Sequence, residues 1–209
     1  MSTHAPAVTW RRKDAYHTAL AYTRAVFELK PDLDRFPRPV YEVARAGSFR
    51  IVDAPMPEDT WGVLVERIIH LATGMGPVKA RFTVCHELGH ALLATDCGQS
   101  DDPMVESEAS AFASGLLMPH DAVRAFMDDS FMALQVLPVE GWASEEQRFG
   151  TVTRMRRHFG TSLQTVLQTL VDMGAVEGRE PWASLHEADA AYRSSLARLR
   201  REATAPKEA

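Results

Sequence analysis

The chain has 209 residues, of which 45% are hydrophobic and 24% charged, a globular composition that suits one main domain. Its net charge of -5 and pI near 5.9 exclude a general attraction to nucleic acid or to an anionic membrane, so any such contact would have to be local. The amino-terminal residues lack the apolar core of a signal peptide, and no stretch is long and apolar enough to cross a bilayer. We therefore expect a cytoplasmic protein without a membrane partner.

The first third of the chain predicts two helices followed by a small sheet. Apolar residues recur at three- and four-residue intervals over 14–29, which predicts a helix with Asp14 as its N-cap. A second, short helix is expected over 40–47, ending at Gly47. Three runs rich in valine and isoleucine follow and are separated by proline and polar residues. We interpret them as three antiparallel strands, over 48–56, 61–66 and 67–73.

The middle of the chain predicts a pair of helices that can pack closely. From Val78 the apolar period is helical, and we expect this helix to stop near Gly98. After a loop, residues 105–119 predict a second helix that ends at Pro119, which lacks a backbone N–H. Small residues would allow this helix to approach a neighbour closely, and they are Ala109, Ser110, Ala113 and Ser114.

The last third is predicted to be mostly helical. We expect a helix over 120–129 and a loop over 130–142. Two helices around Gly-Thr-Ser, over 145–160 and 162–174 with Ser162 as N-cap, have the outline of a helix-turn-helix. A charged amphipathic helix over 187–203 and a polar tail close the chain.

The segment His-Glu-Leu-Gly-His, residues 86–90, carries the clearest chemical signal. Burying imidazole and carboxylate groups without partners costs several kcal/mol, so a metal ion is the natural compensation. Histidines at i and i+4 share one helix face, which lets His86 and His90 bind one cation. Zinc suits these ligands and lowers the pKa of its bound water to about 7, and Glu87 on the flank is the predicted general base. The alternative, a chance match on a solvated helix, is disfavoured by the apolar residues around the motif.

A third ligand must come from elsewhere in the chain. Glu106 and Glu108 both lie on the following predicted helix. Their positions differ by roughly 200 degrees around the helix axis, so only one of them can face the metal. If Glu106 does so, small and apolar residues share its face.

These segments together resemble the ImmA/IrrE family of gluzincin-type metallopeptidases. The resemblance rests on RFTVCHELGH (81–90), on ESEASAFASGLLMP (106–119) and on FGTSLQTVLQTLVDMGAV (159–176), and it covers about 40–175. It implies a small α+β fold of three strands and packed helices. It also implies a zinc-dependent endopeptidase with His86, His90 and Glu106 as ligands. Family members typically cleave a helix-turn-helix repressor and so switch on stress-response or mobile-element genes.

The chain departs from the family pattern at two positions near the motif. Ser110 stands where the family often has an amide or acid that can hold a ligand histidine, which leaves the orienting partner of His86 or His90 unassigned. Cys85 stands where the family usually has alanine, and we interpret it as a small buried apolar residue rather than a ligand. A disulfide to Cys97 is excluded if the helix between them is continuous.

Several further residues have open assignments. The donor that stabilises the developing oxyanion in the transition state could be Tyr41, His70 or His120. His70 otherwise suits a core position in a strand, and His120 is expected to be solvated.

Two rival functions are kept beside the peptidase. One is a DNA-binding regulator with a structural zinc, which the basic cluster at Arg154, Arg156, Arg157 and His158 favours. The predicted helix over 162–174 has no Lys or Arg, however, and phosphate contacts supply most non-specific affinity, so we expect no nucleic-acid partner. Gln164 and Gln168 could read adenines but have little to hold them in the groove. The other rival is a scaffold with a vestigial site, which the intact motif disfavours.

The predicted organisation has three parts. Residues 1–135 form the zinc-metallopeptidase domain with its core at 40–120, residues 136–178 form the helix-turn-helix-like segment, and residues 179–209 form the amphipathic helix and tail.

Overall fold

A 25-residue helix, α1 (Ala5–Leu29), is the longest element of the computed structural model, which describes residues 5–93, 102–134 and 145–175. The helix begins well before Asp14, so the prediction that Asp14 is its N-cap is wrong. Ion pairs hold the early turns, because Arg11 Nε lies 3.1 Å from Glu108 Oε1 and Arg12 Nη2 lies 2.7 Å from Asp172 Oδ2. These ion pairs join residues that are far apart in the sequence, so the local apolar pattern does not indicate that the helix begins before Asp14.

A short helical stretch leads into the sheet. A 3-10 turn (Pro31–Leu33) precedes helix α2 (Val40–Ala46), whose C-cap is Gly47, as predicted. Strands β1 (Arg50–Ala54), β2 (Gly62–Val65) and β3 (Ile68–Ala72) then follow within the three predicted runs.

The sheet is mixed, which corrects the prediction of three antiparallel strands. Its strand order is β1-β3-β2, with β1 parallel to β3 and β2 antiparallel to β3. A tight hairpin at Glu66, which has a φ of 55°, joins β2 to β3. Residues 55–61 connect β1 to β2 and leave room for one strand between them. Strand β3 occupies this central position and runs parallel to β1.

Helices α3 (Pro77–Leu92) and α4 (Pro103–Leu117) pack against each other beside the sheet. The first ends at Leu92 rather than near Gly98, and residues 94–101, which include Gly98 and Cys97, lie outside the described part. Close packing depends on small residues, as expected: a β-carbon added at Gly89 would lie 3.0 Å from the Cα atom of Ala109. Asp102 caps α4 by accepting a hydrogen bond from the Met104 N–H.

Three further helices complete the described fold. Helix α5 (His120–Leu134) continues into the stretch predicted as a loop, which corrects that prediction up to Leu134. Helices α6 (Glu145–Phe159) and α7 (Leu163–Asp172), with Ser162 as N-cap, confirm the predicted helix pair. The predicted helix over 187–203 lies outside the described residues.

One hydrophobic cluster extends through the elements that surround the sheet and the C-terminal helices. Its fully buried members include Leu88 on α3, Phe112 on α4 and Phe159 on α6. Arg81 on α3 ties the α6–α7 turn to this core, because its Nε donates to the Gly160 carbonyl at 2.9 Å. The described part therefore has an α+β fold in which α3 lies between the sheet and α4. None of its helices is both long and apolar enough to cross a membrane.

Candidate metal centre

Three side chains from α3 and α4 converge at the interface of the two helices. His86 Nε2 lies 3.1 Å from His90 Nε2 and 3.0 Å from Glu106 Oε2, and His90 Nε2 lies 3.4 Å from Glu106 Oε1. Among the described residues, these three form a group whose possible ligand atoms all lie within 4.8 Å of one another. The geometry therefore joins two imidazoles and one carboxylate around a single point.

Local sequence explains why these groups meet. The histidines are one helical turn apart on α3, so both rings project from the same face. Glu106 lies in the first turn of α4, where the close packing of Gly89 on Ala109 brings the two helices together. The Glu106 side chain is 51% exposed, whereas His90 is 7% exposed, so the cluster is closed on one side and open on the other.

The donor set fits a zinc ion. Zinc binds histidine nitrogen and carboxylate oxygen at about 2.0–2.2 Å, and a tetrahedral arrangement then separates ligand atoms by roughly 3.3–3.6 Å. Of the three observed separations, 3.4 Å lies within that range, and 3.0 and 3.1 Å fall short of it by a few tenths of an ångström. A cation between these atoms therefore requires only a small adjustment of the side chains.

The protonation of the two imidazoles also favours metal binding. Burial lowers the pKa of His86, and the neighbouring His90 lowers it further. Burial likewise lowers the pKa of His90, against the opposing effect of Glu106. Metal binding requires neutral imidazole, which is the form that burial favours here.

Glu87 lies beside the cluster in a buried position. Its residue exposure is 7%, and it accepts a hydrogen bond from the backbone N–H of Leu64 on β2. Burial, reinforced by the negative charge of Glu106, raises the pKa of Glu87 to about 7. A cation at the cluster would lower this pKa, because it favours the ionised carboxylate. The protonation state of Glu87 therefore depends on whether a cation occupies the cluster.

Strand β2 supports Glu87, a role that was not predicted from the sequence. A β-carbon added at Gly62 would lie 3.1 Å from Glu87 Oε1, so glycine allows the strand to approach the carboxyl group. Glycine within a strand is a known sign of close approach by another group, and this signal was available in the sequence. The Leu64 N–H donor, by contrast, carries no signal in the side-chain pattern.

Ser110 lies near the ring nitrogen of His86 that faces away from Glu106. The Ser110 Oγ atom is 3.4 Å from His86 Nδ1, a long separation for a hydrogen bond. With a cation bound at Nε2, Nδ1 would carry the proton and Ser110 Oγ would be its acceptor. The serine therefore stands at the orienting position that the sequence analysis left unassigned for His86.

The remaining candidates lie in other environments. Glu108 is buried and pairs with Arg11, so it does not join the cluster. Cys85 is fully buried as a free thiol, and burial raises its pKa to about 12, in agreement with an apolar role.

His120 corrects the prediction of a solvated side chain, because its ring stacks on Tyr16 with centroids 4.1 Å apart. His70 lies within β3, paired in register with Val52 and Val63.

A cleft of about 770 Å³ opens on the side of Glu106. Glu106, Ser107 and Ser110 of α4 line it, together with residues from the start of α3 and from α7. The volume lies within the range of about 300–1,000 Å³ that is typical of ligand pockets. The exposed side of the cluster therefore faces a space large enough for a ligand.

Comparison with known proteins finds one matching family and a distantly similar solved structure. The model of the family described as peptidase M78, IrrE N-terminal-like domain, matches residues 47–171, more than half of the chain. A solved structure of a Mycobacterium tuberculosis transcriptional regulator is 15% identical, with a TM-score of 0.44, over 76% of this chain and 50% of that chain. This chain therefore matches half the length of that regulator. No curated protein matches the sequence.

Proposed function

The chain belongs to the ImmA/IrrE family of metallopeptidases, and from that premise we propose that it is a zinc-dependent endopeptidase. In this proposal His86, His90 and Glu106 hold the zinc, and Glu87 is the general base. The observation that supports it most directly is the convergence of three possible ligands beside a buried carboxyl group, at the edge of an open cleft.

The mechanism divides its tasks among these residues. Zinc, when bound, supplies Lewis-acid chemistry that makes water more acidic and a carbonyl more electrophilic. Glu87 accepts the proton of the attacking water and then donates a proton to the leaving amine. The Leu64 N–H orients the Glu87 carboxylate, and a cation at the cluster would offset the effect of burial and favour the ionised form that accepts a proton. Ser110 accepts from His86 Nδ1 and so keeps the Nε2 lone pair directed at the cluster.

We further propose that the substrate is a helix-turn-helix transcriptional repressor, whose cleavage derepresses stress-response or mobile-element genes. The support is the resemblance of three sequence blocks to the ImmA/IrrE family. The open cleft is consistent with a protein substrate, because an extended chain segment needs a continuous groove rather than a closed pocket.

The rival function is a non-proteolytic regulator that binds DNA and uses zinc for stability. A structural zinc is normally enclosed by four protein ligands. The exposure of the Glu106 side chain and the adjacent cleft favour a site that keeps a position for another molecule.

The test is a cleavage assay with defined metal content. The zinc-loaded chain is incubated separately with each repressor encoded beside its gene, and fragments are identified by mass spectrometry. We expect one internal cut that disappears on chelation and returns with zinc. Cleavage that persists in the metal-free chain would contradict a zinc mechanism.

A further inference from the structure

The N-terminal half of α7 borders the same cleft as the candidate metal centre. Ser162, Gln164, Thr165 and Gln168 line the cleft together with Glu106 of α4. Glu106, whose Oε2 atom lies 3.0 Å from His86 Nε2, is the cluster residue that lines this cleft, so α7 and one side of the cluster border the same space. A molecule bound at the cluster on the side of Glu106 can therefore extend along this cleft toward α7.

We propose that Gln164 and Gln168 are substrate-positioning residues that bind the backbone of an extended substrate peptide in the cleft. This inference rests on the proposed endopeptidase function and assigns to α7 a role in substrate binding. The proposed ligand is a peptide segment that places an apolar side chain next to the cluster.

The chemistry of the two glutamines matches a peptide backbone. A carboxamide carries both a donor and an acceptor, as each peptide group does. Gln164 is exposed and makes no hydrogen bond within the part of the chain that the structure describes. Gln168 Nε2 donates to Asp172 Oδ1 at 2.9 Å, which leaves the Gln168 carbonyl oxygen to accept from a substrate N–H. Neither side chain adds a charge that would select a charged substrate residue.

The wall that belongs to α3 and the start of α4 carries an apolar patch beside the charged Lys79 and Glu106. The patch is formed by Pro77, Val78, Phe82 and Pro103. Val78 is 39% exposed although it is a large hydrophobic residue, so the wall offers apolar surface to a ligand. A cleft with amides on one side and apolar groups on the other fits a backbone with a nonpolar side chain.

This placement also fits the composition of α7, the second helix of the pair, which lacks basic residues although α6 carries them. A DNA-recognition helix uses its N-terminal residues to contact bases. Here the N-terminal residues of α7 border the cleft, and α7 contains no Lys or Arg for phosphate contacts. The polar face that could read DNA is thus positioned to contact a peptide.

The test measures binding of three hydroxamates to the full zinc-loaded chain by calorimetry. Acetohydroxamate is small and reports on the metal alone, and two leucine-containing peptide hydroxamates extend from the metal in opposite chain directions. We expect Gln164→Ala/Gln168→Ala to weaken one peptide hydroxamate about tenfold, as the loss of one or two hydrogen bonds predicts, and to leave acetohydroxamate unchanged. Glu42→Ala, an exposed change on α2, is the matched control and should alter none of the three affinities.

The outcomes separate this inference from the proposed function. Zinc content and thermal unfolding of each variant are measured on the same preparation, so that a folding defect is recognised. Equal affinities of wild type and double variant for both peptide hydroxamates, with normal acetohydroxamate binding, would overturn the role of the glutamines alone. If no hydroxamate binds the zinc-loaded wild type, the metallopeptidase site itself is contradicted, and this inference with it.

Discussion

Gly62 on β2 faces Thr83 on α3 so closely that a β-carbon on the glycine would lie 2.4 Å from the threonine Cγ2 atom. The contact lies beside Glu87 and sets how near the sheet approaches the metal helix. We expect Gly62→Ala to lower the free energy of unfolding by about 1–3 kcal/mol, the usual cost of overpacking. Chemical denaturation measures this change.

Two further variants make the Gly62 prediction specific. Gly150→Ala on α6 is the control, because its added β-carbon meets nothing within 4 Å, and alanine there should be neutral or stabilising by about 0.5–1 kcal/mol. Thr83→Ser removes Cγ2 and should recover part of the loss in Gly62→Ala. A Gly62→Ala protein as stable as Gly150→Ala would show that the strand has room to move.

Metal content distinguishes the two glutamates of α4. Glu106→Gln replaces a charged ligand and should reduce zinc occupancy, as should His86→Ala and His90→Ala. Glu108→Gln should retain about one zinc per chain, because Glu108 pairs with Arg11 rather than with the histidines. Elemental analysis of dialysed proteins is the measurement. Full zinc in Glu106→Gln, together with loss in Glu108→Gln, would contradict the assigned ligands.

Arg81 should contribute strongly to stability. Its guanidinium donates to the carbonyl groups of Gly160, Arg38 and Phe159 at 2.9, 2.7 and 3.3 Å, and so links α3 to the α6–α7 turn. Arg81→Leu leaves these acceptors without their donor and is expected to cost about 2–3 kcal/mol of unfolding free energy. Arg24→Leu, an exposed change on α1, should cost less than about 0.5 kcal/mol. If Arg81→Leu and Arg24→Leu lowered the free energy of unfolding equally, Arg81 would not contribute to stability by linking α3 to the α6–α7 turn.

The chain should not bind DNA at moderate salt. Net charge is negative, and α7 lacks the basic residues that supply phosphate contacts. A mobility-shift assay with the promoter of the chain's own operon should therefore show no complex. A salt-dependent shift whose slope decreases in Arg156→Ala/Arg157→Ala would contradict this prediction and favour the regulatory alternative.

Local patterns predicted the parts of the site that depend on helix geometry. The spacing of His86 and His90 places both rings on one face, in agreement with the observed positions. Helical phase allows only one of Glu106 and Glu108 to face the metal, and the family resemblance implies Glu106, which lies beside the histidines. The metal-ligand roles themselves stay predictions. The support of Glu87 by Leu64 was not predictable in this way, because a backbone donor from a neighbouring strand has no side-chain signature.

The errors in the fold have the same physical origin. Alternation within a strand indicates which face is buried but not which strand it pairs with, so the parallel pairing of β1 with β3 was missed. The early turns of α1 depend on Arg11 and Arg12, whose partners lie on α4 and α7. Both features are determined by contacts between residues that are distant in the sequence.

The most direct test of the central claim is the cleavage rate of Glu87→Gln, measured with its zinc content and repressor binding on one preparation. Glutamine is nearly isosteric and can still accept the Leu64 hydrogen bond, but it cannot take a proton from water. General-base assistance contributes about 10²–10⁴ in rate, so we predict normal zinc, normal binding and cleavage at least about 10²-fold slower. Cleavage at the wild-type rate with zinc present would contradict the role of Glu87 and the mechanism built on it.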